Sequence, residues 1–189
     1  MANIVLLDAL DFKRIYKRFK KDFAPGEYAP YFVLHSQILN GIQQCFLFFM
    51  DDRESAYAVC AGNHMNEFVL ISYLAVYKEY RGAGIGSAFL TEIKRNYARK
   101  KGILVEVEKP ECAKDFAEKT IRKMRMRFYQ NEGFQVVPGI DYSIWGVPMH
   151  LMIIGQDATS PDEIVLRIHE IYLELMGERF IHMLHIRLV

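Results

Sequence analysis

Gly82, Gly84 and Gly86 fall within one short segment, Val76-Tyr77-Lys78-Glu79-Tyr80-Arg81-Gly82-Ala83-Gly84-Ile85-Gly86-Ser87-Ala88. The apolar run Phe68–Val76 before it predicts a strand. The spacing of Ile85, Phe89, Leu90, Ile93 and Tyr97 after it predicts a helix over 86–98. Glycines allow close approach of a ligand to the backbone and turn N–H groups inward. The helix start that follows adds partial positive charge, so the loop favours an anion such as a pyrophosphate. It is not a P-loop, because no Lys follows the glycines. A dinucleotide fingerprint counted from Gly82 needs Gly or Ala where Ser87 stands, and counted from Gly84 it meets Phe89.

The pattern that fits is [RQ]-x-x-G-x-[GA], written here as Arg81-x-x-Gly84-x-Gly86. Downstream comes Phe128-Tyr129-Gln130-Asn131-Glu132-Gly133-Phe134, the pattern F-Y-x-x-x-G-F. With these two motifs in this order the sequence resembles the GNAT N-acetyltransferase superfamily over roughly residues 1–155. The resemblance implies an α/β fold: a mixed, mostly antiparallel sheet flanked by helices, with acetyl-CoA as cosubstrate; no metal is expected, because no Cys/His cluster has ligand spacing. It implies coenzyme contacts from Leu74, Ala75 and Val76 at the end of the central strand, and from Arg81, Gly82, Ala83, Gly84, Ile85, Gly86 and Ser87 in the loop. There are two departures. Such families often carry Pro where Lys78 stands, and many carry Asn near position 122, which is Arg122 here.

Acyl transfer from a thioester to an amine needs a neutral amine, a stabilised oxyanion and a protonated leaving thiolate. The resemblance makes Tyr129 the general acid and gives the Val76 N–H the acyl carbonyl to polarise; the plain alternative for Tyr129 is a core aromatic. The base is read from the residues. Glu106 and Glu108 lie two apart on the predicted strand Ile103–Glu108 and share a face. A carboxylate pair there would bind a cationic amine, and a partly buried one would have a raised pKa. The competing readings are two solvent-facing residues, a role for Ser72 or Tyr73, or a water relay.

Other features are weaker. The basic run Arg122–Arg127 reads as a solvated helix face paired to Glu118, with a coenzyme phosphate, an acidic acceptor or RNA as alternatives. His182 and His185 would pair on a helix but have no third ligand. Cys112 follows the strand near the expected cleft. Tyr142 and Trp145 lie in a connection between the last two strands, beside the acceptor in the family layout.

The elements that must position these groups read as follows. Ile4–Leu7 is a strand, Asp11–Phe23 and Pro30–Leu39 are helices, and Cys45–Met50, Ala56–Ala61 and Phe68–Val76 are strands of a meander punctuated by Asp51-Asp52 and Gly62-Asn63. Cys112–Asn131 is one long helix, and Phe134–Val137 and Met149–Ile154 are strands. Ser160-Pro161-Asp162-Glu163 starts a final helix, ended by Gly177. Its apolar face needs cover from the domain or from a second subunit, so a homodimer is one expectation. The domain boundary is set at 155/156, with 156–189 as a C-terminal helical extension.

Composition bounds the rest. The 189 residues carry 24 Lys+Arg and 23 Asp+Glu for a net charge of +1, with 51% hydrophobic residues. That balance suits a globular domain and gives no sign of a surface built for nucleic acid. No apolar run approaches the roughly 20 residues of a membrane span. The opening residues meet Asp8 too soon for a signal peptide, and the sparse cysteines Cys45, Cys60 and Cys112 suit reduced thiols. The expected location is cytoplasmic. The expected activity is transfer of acetyl from acetyl-CoA to a primary amine of a small molecule or peptide by direct transfer. A coenzyme-binding sensor without turnover is the alternative.

Overall fold

The computed structural model describes residues 2–62, 65–155 and 159–189. Asn63 of the expected Gly62-Asn63 turn and the residues just after the 155/156 boundary lie outside them. The fold is α/β, a mixed, mostly antiparallel sheet flanked by helices, and the chain forms two compact units.

The first unit is Met1–Asn63 with Ile71–Ala98. Its strands are β1 (Ala2–Leu6), β2 (Gln43–Met50), β3 (Arg53–Ala61) and the later part of β4 (Phe68–Val76), side by side in that order. Its helices are α1 (Phe12–Asp22), α2 (Tyr31–Leu39) and α3 (Ile85–Asn96). The run Cys45–Met50 is continuously apolar because helices cover both faces of β2. Cys45 and Leu47 point into a cluster with Phe12, Ile15 and Phe19 of α1 and Leu34 of α2. Phe46 and Phe48 point the other way, against Tyr97 and Phe89 at ring separations of 5.9 and 5.0 Å. Asp51 and Asp52 turn β2 into β3 with φ of 48° and 62°, the left-handed pair that suits the twist of a two-residue hairpin.

The second unit is His64–Leu70 with Arg99–Val189. Its strands run in the order β5 (Gly102–Glu108), β8 (Val147–Gly155), β7 (Ile140–Ile144), β9 (Leu184–Leu188), and the short β6 (Gln135–Val136) also pairs with β8. Its helices are α4 (Phe116–Asn131) and α5 (Pro161–Met176). Glu106 of β5 stands opposite Leu151 of β8. The expected connection around Tyr142 is itself strand β7, turned into β8 by Trp145 and Gly146 at φ 51° and 75°. The tail is strand β9, so His182 sits in a short 3-10 turn and His185 in the strand, 3.4 Å from Asp141. They do not form the helical pair that a metal reading requires.

The helix expected over 112–131 is broken. Pro110–Cys112 forms a separate 3-10 turn, Ala113 is extended, and α4 starts only after Asp115. Asp115 accepts the Glu118 N–H at 2.8 Å, and Glu118 accepts the Lys114 N–H at 2.7 Å. That reciprocal cap fixes the start. At the other end of the chain Ser160 caps α5 by accepting the Glu163 N–H, and Ile164, Ile168, Ile171 and Tyr172 are buried within the chain itself. Among the described residues no helix is long and apolar enough to cross a membrane.

The basic run is only in part a solvated face. Lys123, Arg125 and Arg127 are exposed, but Arg122 is buried. Its guanidinium pairs with Glu118 at 2.7 Å and Glu108 at 3.2 Å and donates to the Lys109 carbonyl at 2.9 Å. Removing it strands two carboxylates. Arg122→Met is expected to cost about 2 kcal/mol, below the range for a fully buried pair because both carboxylates keep some solvent. Thermal denaturation should read this as a Tm lower by about 4–8 °C.

Candidate functional site

The glycine loop belongs to the first unit, and its geometry follows from what holds each end. Tyr77 is buried after β4 and donates its N–H to the Ser55 carbonyl at 2.9 Å. Its hydroxyl donates to Glu54, and the Arg18 guanidinium lies 3.3 Å over its ring. Glu54 in turn receives Arg14 at 2.7 Å. A 3-10 turn, Lys78–Tyr80, carries the chain to Arg81; Lys78 merely opens this turn.

Arg81 then reaches backward. Its Nε donates to the Val76 carbonyl at 3.0 Å, and its Nη2 lies 3.4 Å from Asp22 at the end of α1. The Asp22 side chain is only 5% exposed and also accepts the Tyr57 hydroxyl at 3.2 Å. Burial and the Asp22 charge push the Tyr57 hydroxyl pKa well up, so it stays a donor. Arg81 therefore clasps the loop closed against the strand it leaves.

Gly82 and Gly84 adopt φ of 80° and 74°. A Cβ built on either meets nothing within 4 Å. Residues 81–84 are exposed, whereas Ile85 is buried and anchors the first turn of α3 with Phe89, Leu90 and Ile93. Gly84 caps α3 without any side-chain acceptor. The first-turn N–H groups of a helix have no partner within it. The loop is thus an open, main-chain concavity that ends on an uncapped helix start, and it fits a diphosphate. Leu74 and Val76 are half-buried and Ala75 is buried in the core cluster.

The second group of residues belongs to the second unit. Gly133, at φ 91°, ends α4 and folds Phe134 back so that the Phe134 N–H donates to the Tyr129 carbonyl at 3.0 Å and the Gly133 N–H to the Gln130 carbonyl at 3.0 Å. This is a Schellman closure with its usual apolar contact, here the Tyr129 and Phe134 rings at 5.5 Å. The F-Y-x-x-x-G-F pattern therefore has a structural meaning: it fixes the Tyr129 backbone at a helix end. Tyr129 is 8% exposed.

Glu106 and Glu108 share a strand face but have different partners. Glu108 is held by Arg122 at 3.2 Å and Arg125 at 3.4 Å. Glu106 accepts hydrogen bonds from two phenols. Tyr172 of α5 lies 2.7 and 2.8 Å from its two oxygens, and Tyr142 of β7 donates to Oε1. Burial raises the Glu106 pKa, and the two hydrogen bonds temper that rise. It is half-buried and, among the described residues, its partners are phenols rather than cations.

Sequence reasoning did not find Tyr172, Asp22, Glu54 or Arg18. Their partners are distant in the chain, and no local pattern marks them. Arg122 is committed to Glu108, Glu118 and the Lys109 carbonyl. Cys112 is exposed, and Cys45 and Cys60 are buried, with the Cys60 thiol pushed up to about 12 by desolvation.

Comparison with known proteins gives the same frame. "Putative acetyltransferase YjbC" of Bacillus subtilis (strain 168) is 30% identical over 100 residues, which are 49% of this chain and 48% of that protein. The chain thus matches about half of that relative's length. A solved structure described as "Putative acetyltransferase from GNAT family from Bacteroides thetaiotaomicron" superposes with a TM-score of 0.74 at 22% identity, covering 93% of this chain and 98% of that one. Arabidopsis thaliana NAA60, solved in complex with acetyl-CoA, gives 0.62 at 12% identity over 84% of this chain and 100% of that one. The family described as "Acetyltransferase (GNAT) domain" matches residues 42–136. Because that stretch holds both signatures in their expected order, this chain belongs to the GNAT acetyltransferase family.

Proposed function

We propose that this protein moves an acetyl group from acetyl-CoA directly to a primary amine of a small molecule or peptide. The observation that carries this reading is the exposed segment 81–84, with two left-handed glycines over empty space, running into an uncapped helix start at Ile85, in a chain of this family. When bound, the coenzyme supplies an acetyl thioester. The main chain of Gly82–Ser87 grips the diphosphate. Main-chain groups of Leu74, Ala75 and Val76 bind the pantetheine amides, and the Val76 N–H polarises the acyl carbonyl. Arg81 ties the loop to its strand through Val76 and Asp22, and its half-exposed guanidinium keeps further N–H groups for the anion.

Glu106 takes the proton from the acceptor ammonium, whose ordinary pKa is about 10.4. Of the two carboxylates it is the better base. Glu108 is held by two guanidinium groups, whereas Glu106 accepts from two phenols and its pKa is raised by burial. Tyr129 protonates the departing thiolate.

The pH dependence has a definite sign. Glu106 works ionised, and a raised pKa means it takes up a proton at a higher pH than an ordinary glutamate. The value of kcat/KM should therefore fall as pH drops, with an acid limb above the usual glutamate value of about 4.3. Glu106→Gln should remove that limb.

Thiol release from acetyl-CoA across a panel of amines tests the reading. Turnover with at least one amine is expected, and Tyr129→Phe should lower kcat about 10²-fold with coenzyme affinity unchanged. That is the modest end of acid catalysis, because a thiolate is already a fair leaving group. Tight coenzyme binding with no turnover on any amine would replace the enzyme with a sensor.

A further inference from the structure

We infer that Tyr172, supplied by the C-terminal helix, is a positioning residue for Glu106, so that α5 is part of the reaction centre rather than a cover for the sheet. This rests on Glu106 as the base. Tyr172 lies beyond residue 136, where the family match ends, and belongs to no motif of the sequence.

The geometry is specific. The Tyr172 hydroxyl straddles the carboxylate, 2.7 Å from Oε1 and 2.8 Å from Oε2. Tyr142 donates to Oε1 as well. A carboxylate offers about four acceptor positions. Oε1 serves both phenols and Oε2 serves half of one, so Oε2 keeps the acceptor capacity for an incoming proton. Tyr142 is 1% and Tyr172 8% exposed, which fixes both rings and with them the carboxylate plane.

The delivery of Tyr172 follows from the helix. Ile164, Ile168 and Ile171 form the buried stripe of α5, and Tyr172 sits one turn after Ile168 on the same face. Two ties keep the helix in register. Lys101 bonds Glu163 at 3.1 Å, and Arg167 lies 3.8 Å from Glu67. The groups facing Glu106 are Tyr142 from β7 and Tyr172 from α5, with Leu151 opposite on β8 and Glu108 beside it on β5, itself held by Arg122 and Arg125 of α4. Phenols donating to a carboxylate favour its charged form and oppose the desolvation that favours the neutral one. Tyr142 has its own pKa raised by burial and by Glu106, so it stays a donor through neutral pH. Loss of Tyr172 removes a donor and leaves the desolvation in place.

The test reads Glu106 directly. In protein labelled with 13C at glutamate Cδ, the Glu106 signal is the one lost in Glu106→Gln. Tyr172→Phe is expected to raise its apparent pKa by about one unit, tenfold in proton affinity. The acid limb of kcat/KM should move up with it, while KM for acetyl-CoA stays within about twofold. A purely structural role for Tyr172 would lower activity without moving either titration. Should Tyr172→Phe fold poorly, 3-fluorotyrosine in place of Tyr172 keeps the ring and strengthens the donor, and the shift should reverse sign. An unmoved Glu106 titration in both variants, with Glu106→Gln inactive, overturns the role of Tyr172 alone. Full turnover and an unchanged acid limb in Glu106→Gln overturn Glu106 as base and this role together.

Discussion

Gly84→Val should lose coenzyme binding by about 10³-fold while the protein stays folded. The two halves of this expectation have separate causes. The fold survives because a side chain at Gly84 meets no atom within 4 Å, so nothing packs against the new group. The remaining cost is the left-handed backbone at φ 74°, about 1–2 kcal/mol for a residue with a Cβ. Differential scanning calorimetry should read it as a Tm lower by roughly 2–8 °C. Binding should fail because the proposed function puts the anion in that same empty space. An isopropyl group there displaces the diphosphate from the main-chain N–H groups. Two hydrogen bonds to a charged group, at about 2 kcal/mol each, account for about 10³ in affinity. Isothermal titration of both proteins with coenzyme A measures the ratio. Equal affinities in a folded Gly84→Val protein would move the diphosphate elsewhere.

Glu106→Gln should lower kcat/KM about 10³-fold at neutral pH, within the usual range for a lost general base. The substitution is close to isosteric, and its amide oxygen still accepts from a phenol, so structure is retained. A carboxylate whose pKa is raised by burial costs stability when it ionises. Above its folded pKa the native state bears that cost, and below its unfolded pKa it does not. The neutral glutamine bears it at no pH. Glu106→Gln should therefore be as stable as the parent at pH 7, or more so, and the parent should lose that disadvantage as pH falls. Loss of activity with gained stability separates a functional carboxylate from a structural one. The outcome against this account is a destabilised Glu106→Gln protein of normal turnover.

What could be read from the sequence has a common physical basis. The loop is legible because its shape is a main-chain property, and glycine is the residue that marks positive φ. Phe128–Phe134 was readable for a similar reason, since Gly133 closes α4. Phe68–Val76 is legible to the residue because its run of apolar residues, interrupted only by Ser72, ends where the charged turn after Tyr77 begins. The helix that the sequence predicts over 112–131 is longer than α4. Basic periodicity continues through Lys114, and the cap formed by Asp115 and Glu118 lies inside that pattern. Strand β7 is hidden in the sequence because its turn into β8 places Trp145 beside Gly146 at positive φ, and an aromatic does not mark a turn.

The missing parts of the site are long-range pairings. Tyr172 stands in an apolar helical stripe, where a phenol and a core aromatic look alike, and its partner lies 66 residues away. Asp22 reads as the acidic end of a basic helix; its hold on Arg81 spans 59 residues. Arg122 belongs to a run of cations whose neighbours are solvated, and only the tertiary fold singles it out for burial. Each of these residues acts through another side chain, and a one-dimensional pattern carries no record of that.

The central claim is that the main chain of Gly82–Ser87 grips the diphosphate, and amide resonances report on it directly. Coenzyme A titrated into 15N-labelled protein should shift the Gly82, Gly84, Gly86 and Ser87 amides downfield, as N–H groups do on bonding to an anion, with saturation at micromolar ligand. Those four amides unmoved at millimolar coenzyme A, while others shift or none do, would contradict it.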